Sequence, residues 1–331
     1  MNSFKVSNFI IGKQFKTLII AEIGINHEGN FSKCIEMIKL AAKSGANAVK
    51  IQTVDQKESY QKTTKSFEEF KGKDFSDIQI KKLIKLAKKL KIIFFSTPGD
   101  VKSLRRLIKL KIPIIKISSG LSNNYPLIRE ILKKKIPLII STGLSDLKEL
   151  IELRNFLKKF KFKKISILKC SSRYPVPFDE IEMENIIQYK KIFKYPIGYS
   201  DHSLGTLTPS IAVAKGAQII EKHFTINKKL KGADHKISLE PKEFFQMVNN
   251  IRCTEKILGS KKIKLSKYIK NNKNNFFRVM AARKNIKKGD KFNLENIKFI
   301  RASNKKGKSP KFFFQIENKQ AKKNIRKNQI L

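Results

Sequence analysis

A chain of 331 residues with 40% apolar residues can bury a sizeable core, and a large domain followed by a small one is the natural expectation. No apolar run approaches the ~20 residues that span a bilayer, the opening segment MNSFKVSNFIIGKQFK carries no secretory pattern, and three distant cysteines (Cys34, Cys170, Cys253) make neither a disulfide framework nor a zinc ribbon, so a reducing, cytoplasmic setting is expected. The net charge of +45 raises a nucleic-acid binder, but the lysines are spread over the polar faces of helical patterns such as IKKLIKLAKKLK without interleaved aromatics; a solvated basic surface that attracts anionic substrates is the expected reading, with no specific nucleic acid and no membrane partner.

In chain order, short apolar and β-branched runs recur, each followed by a helical pattern. They are LIIAEIG (18–24), AVKIQT (48–53), IIFFSTP (92–98), IIKISS (114–119), PLIIST (137–142), ISILKC (165–170), PIGYSD (196–201) and QIIEKHF (218–224). In SDIQIKKLIKLAKKL the apolar Ile80, Leu83, Ile84 and Ala87 fall on one helical face, with Ser76 or Asp77 as N-cap. Alternating strand and helix patterns imply a parallel sheet, and eight units at spacings mostly of 22 to 31 residues fit a closed (β/α)8 barrel, a TIM barrel in the α/β class. The longer gap after the second strand marks an inserted loop, 54–75. The barrel pattern covers 1–258. A polar linker, 259–277, follows, and then a compact segment, 278–331, with short strands and a KKGD turn.

Catalytic groups of such barrels stand at the C-terminal strand ends, and several strands here end in polar residues. The first carries Glu22; the second carries Lys50 and Gln52 on one face. The fourth ends in Lys116, Ser118 and Ser119, and the fifth in Ser141, Thr142 and Gly143. The sixth runs through Lys169 and Cys170 into Ser171, Ser172, Arg173 and Tyr174; the seventh ends in Ser200, Asp201 and His202; the eighth carries Glu221 and His223. Two imidazoles on neighbouring strands can converge on a borderline divalent ion such as Mn, Fe, Co or Zn, or can simply be a hydrogen-bonded pair. His27 and His235 fall in loops and are read as supporting residues. Lys50 and Lys116 suit a phosphate or carboxylate clamp with Ser119, Ser141 and Ser200 as hydroxyl donors; one of them could instead form a Schiff base, as in barrel aldolases.

The motifs AEIGINHEGN, AVKIQT, FFSTP, KISSGLSNNYPLI, STGLSD, YSDHSLG, EKHFT and GADHKISLEP occur in this order. With them the chain resembles, nearly end to end, the bacterial sialic acid synthases (N-acetylneuraminate synthases) and their relatives that make pseudaminic and legionaminic acids. Its last segment resembles that family's small antifreeze-like (SAF) domain.

The resemblance implies a metal-dependent transferase. It would join phosphoenolpyruvate to the open-chain aldehyde of an N-acetylated sugar, N-acetylmannosamine first among them, and release phosphate by C–O cleavage. It implies Lys50, Lys116, Ser119, Ser141 and Ser200 at phosphoenolpyruvate, and His202 and His223 as ligands of Mn2+, with Mg2+ or Co2+ as alternatives. Glu22 is implied as catalytic and Asp234 as an acid at the sugar. Gln52, Ser172 and Tyr174 are implied on the sugar side, and Arg301 as the SAF-domain residue at the N-acetyl group, supplied across a domain-swapped homodimer. Ser172 departs from the Asn of some sialic acid synthases and is more like the pseudaminic members, whereas GADHKISLEP is more like the sialic and legionaminic ones. An ice-binding role for the last segment is disfavoured by its lysines and its attachment to a barrel.

Overall fold

The computed structural model describes residues 3–260, 262–302 and 307–331. The chain divides into two compact units, Met1–Gly259 and Ser260–Leu331.

The first unit opens with an antiparallel hairpin, β1 (Phe4–Val6) and β2 (Phe9–Ile11). At three residues per strand it leaves little pattern in the sequence, yet it places Phe4, Val6 and Ile11 in the main core. Eight parallel strands follow: β3 (Leu18–Gly24), β4 (Ala48–Thr53), β5 (Ile93–Pro98), β6 (Ile115–Ile117), β7 (Leu138–Ser141), β8 (Ile165–Cys170), β9 (Ile197–Asp201) and β10 (Ile219–His223). They close into a barrel in the order β10-β3-β4-β5-β6-β7-β8-β9. The fold is thus the (β/α)8 barrel read from the alternation. Strands covered on both faces read as continuous apolar runs; every residue of β3, β5, β8, β9 and β10 is buried.

The helices of this unit are α1 (Phe31–Lys43), α2 (Gln56–Ser59), α3 (Lys65–Phe70), α4 (Asp77–Lys89), α5 (Val101–Lys109), α6 (Tyr125–Lys133), α7 (Leu147–Lys158), α8 (Asn185–Ile192), α9 (Leu207–Ala214) and α10 (Pro241–Leu258). In α4, Ser76 is the N-cap and forms a capping box with Gln79, while Ile80, Leu83 and Ala87 are buried. Asp146 with Glu149 and Glu240 with Glu243 start α7 and α10 in the same way. Loop 54–75 holds the short α2 and α3, whose ends are fixed by Asp55 and Thr64 side chains accepting from backbone N–H groups.

The second unit contains α11 (Lys267–Phe276), an antiparallel pair β11 (Val279–Ala282) and β12 (Ile297–Ile300), and α12 (Phe313–Ile316). Its own core gathers Met280, Ile286, Ile297, Phe313 and Ile325. α11 falls inside the segment expected to be a linker. Its sequence KYIKNNKNNF offers no apolar stripe to read, and the helix buries none of its described side chains. Among the described residues no helix is long and apolar enough to cross a membrane.

Candidate active site

The barrel strands end around one cavity of about 380 Å3. Each strand brings a polar side chain to it because alternate residues face inward. β3 supplies Glu22, β4 Lys50 and Gln52, and the end of β6 Lys116 and Ser119. Ser141 closes β7, Ser172 and Tyr174 follow β8, and Ser200 and His202 come from β9 and just beyond it. β10 supplies His223, and the loop after it Asp234. The twelve barrel residues to which the resemblance assigns a role therefore meet in a single space. Arg301 belongs to the second unit, where its guanidinium lies 5.7 Å from the centre of the Phe276 ring.

The register explains the convergence. Glu22 pairs with Lys50 across β3 and β4, His223 with Glu22 across β10 and β3, and Glu221 with Ser200 across β10 and β9. The floor is a chain of alternating charge. Glu22 Oε2 lies 2.5 Å from Lys50 Nζ, Lys50 Nζ lies 3.8 Å from Glu221 Oε1, and Glu221 Oε1 lies 3.4 Å from Lys116 Nζ. Lys50 also donates to Thr97 Oγ1 at 3.1 Å, and Ser200 donates to Glu221 Oε1 at 3.1 Å. All four charged residues are buried, 5% exposed or less.

Their titration follows from this placement. Burial raises Glu22 to about 7, against the lowering by Lys50 and reinforced by Glu221. Glu221 suffers the same burial, but Lys116 and Lys50 together bring it down to about 2. Lys50 is raised, because Glu22 and Glu221 outweigh burial; Lys116 is lowered, because burial outweighs Glu221. Burial also raises Asp234. Beside this floor, Ser119 Oγ accepts from Gly143 N at 2.9 Å, while the buried Ser141 Oγ has no hydrogen-bond partner among the described residues. A Cβ on Gly143 would meet Ser172 Oγ at 2.7 Å and Ser119 Oγ at 3.0 Å, so a side chain there would displace the hydroxyl groups.

The two imidazoles stand at the edge of the same cavity. Ligating nitrogens about 2.1 Å from one ion would put two ring centroids roughly 5 Å apart; those of His202 and His223 are 5.4 Å apart. His202 Nδ1 donates to the Ser171 carbonyl at 2.7 Å, so Nε2 is the nitrogen left to face an ion. Burial lowers the imidazole, but Cys170 and the Ser171 carbonyl outweigh it and raise His202, so an ion there would have to displace a proton. Burial, then the charges of His202 and Lys50, hold His223 well below the ordinary imidazole range, so it is neutral near pH 7. Its buried Nδ1 makes no hydrogen bond among the described residues and lies 3.6 Å from Asp234 Oδ2. Among the described residues no group of three or more His, Cys, Asp or Glu is arranged to hold a metal alone. The donor set fits an ion held by two imidazoles that leaves its other positions to oxygen atoms of substrate or water.

Some of the lining consists of residues to which the sequence assigned no role. Glu221 shares its face with His223 in the sequence, but its place between two lysines depends on the closed barrel. Cys170 lies 3.6 Å from His202 Nδ1. Loop 54–75, which the resemblance implies at the sugar, contributes Tyr60, Ser66, Glu69 and Phe70, with the Tyr60 and Phe70 rings 5.3 Å apart; no motif in that stretch marks these four residues. Lys169, polar in an apolar strand, turns away from the cavity and donates to Ser171 Oγ at 3.1 Å. His27 and His235 are buried outside the lining: His27 Nδ1 accepts from Gly29 N at 3.1 Å, and His235 Nδ1 pairs with Thr225 Oγ1 at 2.7 Å.

The model of the NeuB family matches residues 37–263. N,N'-diacetyllegionaminic acid synthase of Campylobacter jejuni is 37% identical, over 96% of this chain and 99% of its own. Pseudaminic acid synthase of the same species is 35% identical, over 97% and 96%. The crystal structure of N-acetylneuraminic acid (sialic acid) synthetase from Leptospira borgpetersenii, in complex with citrate, superposes with a TM-score of 0.78 at 33% identity. It covers 82% of this chain and 95% of that one.

Proposed function

The chain belongs to the NeuB family, and we propose that it condenses phosphoenolpyruvate with the open-chain aldehyde of an N-acetylated sugar, giving a nine-carbon sugar acid and phosphate. The observation that carries this reading is the joint placement of Lys50 and Lys116 on the floor and His202 and His223 on the wall of one cavity. A trianionic substrate and a carbonyl oxygen then have separate, adjacent seats.

The ammonium groups of Lys50 and Lys116, with the hydroxyls of Ser119, Ser141 and Ser200, take the phosphate and carboxylate of phosphoenolpyruvate. Gln52, Ser172 and Tyr174 face the sugar. A divalent ion, Mn2+ in this reading, held by His202 and His223 would polarise the aldehyde oxygen. The methylene carbon of phosphoenolpyruvate attacks the aldehyde carbon, and the new alkoxide needs a proton. Asp234, whose carboxyl is raised by burial and lies beside His223, is suited to deliver it. The phosphate-bearing carbon becomes cationic, and Glu22 as carboxylate stabilises it and takes a proton from the water that adds there. Phosphate then leaves with cleavage of its bond to carbon. Holding both reactants in register supplies much of the rate.

N-acetylmannosamine is the first acceptor to test. A diacetamido dideoxyhexose is the second, favoured by relatives named legionaminic and pseudaminic acid synthases that align over 96% and 97% of this chain. The role of Arg301 at the N-acetyl group and a homodimer that supplies it are further parts of the proposal. Incubation with phosphoenolpyruvate and a panel of N-acetylated hexoses is expected to release phosphate only with an acceptor, to stop on chelation, and to resume with Mn2+. Phosphoenolpyruvate labelled in its bridging oxygen is expected to leave the label in phosphate. Release without an acceptor would overturn the condensation; release indifferent to chelation would overturn the metal.

A further inference from the structure

Asp201 and Lys222 form an ion pair at 2.6 Å with neither side chain exposed at all. They face each other in the ladder between β9 and β10, and theirs is the last pair of that ladder. In the chain each immediately precedes an imidazole, Asp201 before His202 and Lys222 before His223. Alternation sends Ser200, Glu221 and the two histidines to the cavity and puts Asp201 and Lys222 behind them.

The carboxylate is saturated. Oδ1 accepts from Tyr199 OH at 3.0 Å, Ser203 N at 2.9 Å and Ser203 Oγ at 2.7 Å, while Oδ2 accepts from Thr208 Oγ1 at 2.8 Å as well as from Lys222. The ammonium also donates to the Ser203 carbonyl. Above this pair the strands separate. His202 O accepts from Val176 N at 3.1 Å and His223 O from Leu239 N at 2.8 Å, each bond leading to a different loop. On the outer face the ion pair is therefore the last tie between the two strands below the imidazoles.

A buried ion pair is commonly no more stabilising than apolar side chains of the same volume. What such a pair supplies is a directional link, and a one-residue slip of either strand would turn that strand's histidine out of the cavity. We propose that Asp201 and Lys222 are positioning residues that fix the separation of His202 and His223, and so tune the affinity of the imidazole pair for a divalent ion. This rests on reading that pair as a metal site.

The test uses the full-length protein and Mn2+ alone, with free Mn2+ read by electron paramagnetic resonance. Asp201→Asn weakens the link directly; Thr208→Val removes one donor to Asp201, and Thr208→Ser keeps it. The expected result is Mn2+ binding weakened about 10- to 100-fold in Asp201→Asn, weakened less in Thr208→Val and unchanged in Thr208→Ser, with the KM for phosphoenolpyruvate at saturating Mn2+ moved less than about threefold. If Asp201→Asn does not fold, the Thr208 pair alone decides. Folded variants that bind Mn2+ like the parent overturn the proposal, as does equal weakening of Mn2+ and phosphoenolpyruvate, which marks general disruption. A parent protein that binds no Mn2+ overturns the metal reading itself.

Discussion

Glu22 is 2% exposed and 2.5 Å from an ammonium group, yet burial outweighs that partner and lifts it to about 7. Glu221, equally buried, is brought down to about 2 because two lysines face it instead of one. Two carboxylates a few ångströms apart thus hold different protonation states near neutrality, the arrangement that separates a titrating base from a fixed counter-charge. If Glu22 acts as a carboxylate, kcat/KM is expected to rise about tenfold per pH unit below 7 and to level off above it. Glu22→Gln is expected to lose about 10²- to 10⁴-fold in rate and the acid limb with it; a limb that survives in Glu22→Gln would assign the titration elsewhere. The same shift has a stability sign. The raised group favours the fold while protonated, a contribution complete below its ordinary 4.5 and lost as pH rises through about 7. Gly24 belongs to this arrangement. It sits at φ +56°, and a Cβ there would meet Glu22 Oε1 at 3.1 Å and Asp234 Oδ2 at 3.6 Å, so the glycine leaves room for two carboxylates to converge.

Among the elements, loop 54–75 builds part of the cavity wall, and in the proposed condensation it would face the sugar. Tyr60, just after α2, and Ser66, Glu69 and Phe70 of α3 lie on the cavity wall, while the ammonium groups lie on the floor, on β4 and β6. Phe70→Ala is expected to raise the KM for the sugar severalfold and to leave that for phosphoenolpyruvate within about twofold; steady-state kinetics with each substrate varied in turn reads the difference, and equal changes in both would place the loop on the shared floor instead. The loop also shows where sequence reading stops. Barrel strands were legible because each is covered on both faces, and the floor because Glu22, Lys50 and Lys116 interrupt apolar runs. The wall was not, since the segment that builds it has no period and its aromatic pair, Tyr60 and Phe70, is ten residues apart in the chain and joined only in space. Glu221 shows a second limit: one charged residue in an apolar strand can be noticed, but which two lysines it will neutralise is decided by barrel closure. The hairpin β1 and β2 and the polar helix α11 were illegible for the plainer reason that neither carries enough apolar pattern to be recognised.

The whole molecule carries 72 Lys and Arg against 27 Asp and Glu. A field of that sign attracts a trianion over distances set by the Debye length, about 30 Å at 0.01 M salt and about 8 Å at 0.15 M. The two proposed substrates would respond differently, because phosphoenolpyruvate is charged and an N-acetylated hexose is neutral. Raising NaCl from about 0.01 to 0.3 M is therefore expected to increase the KM for phosphoenolpyruvate severalfold and to leave that for the sugar unchanged. The neutral substrate controls for any effect of salt on the fold. The same screening relieves repulsion among the surface lysines, so the thermal midpoint is expected to rise over the range in which phosphoenolpyruvate binding weakens. These opposite signs separate surface charge from the cavity. Lys50 and Lys116 are buried against Glu22 and Glu221 and are screened little, so their contribution persists at high salt while that of the exposed lysines fades. A phosphoenolpyruvate KM indifferent to salt would mean that the buried pair alone accounts for binding and that the excess positive charge has no part in catalysis.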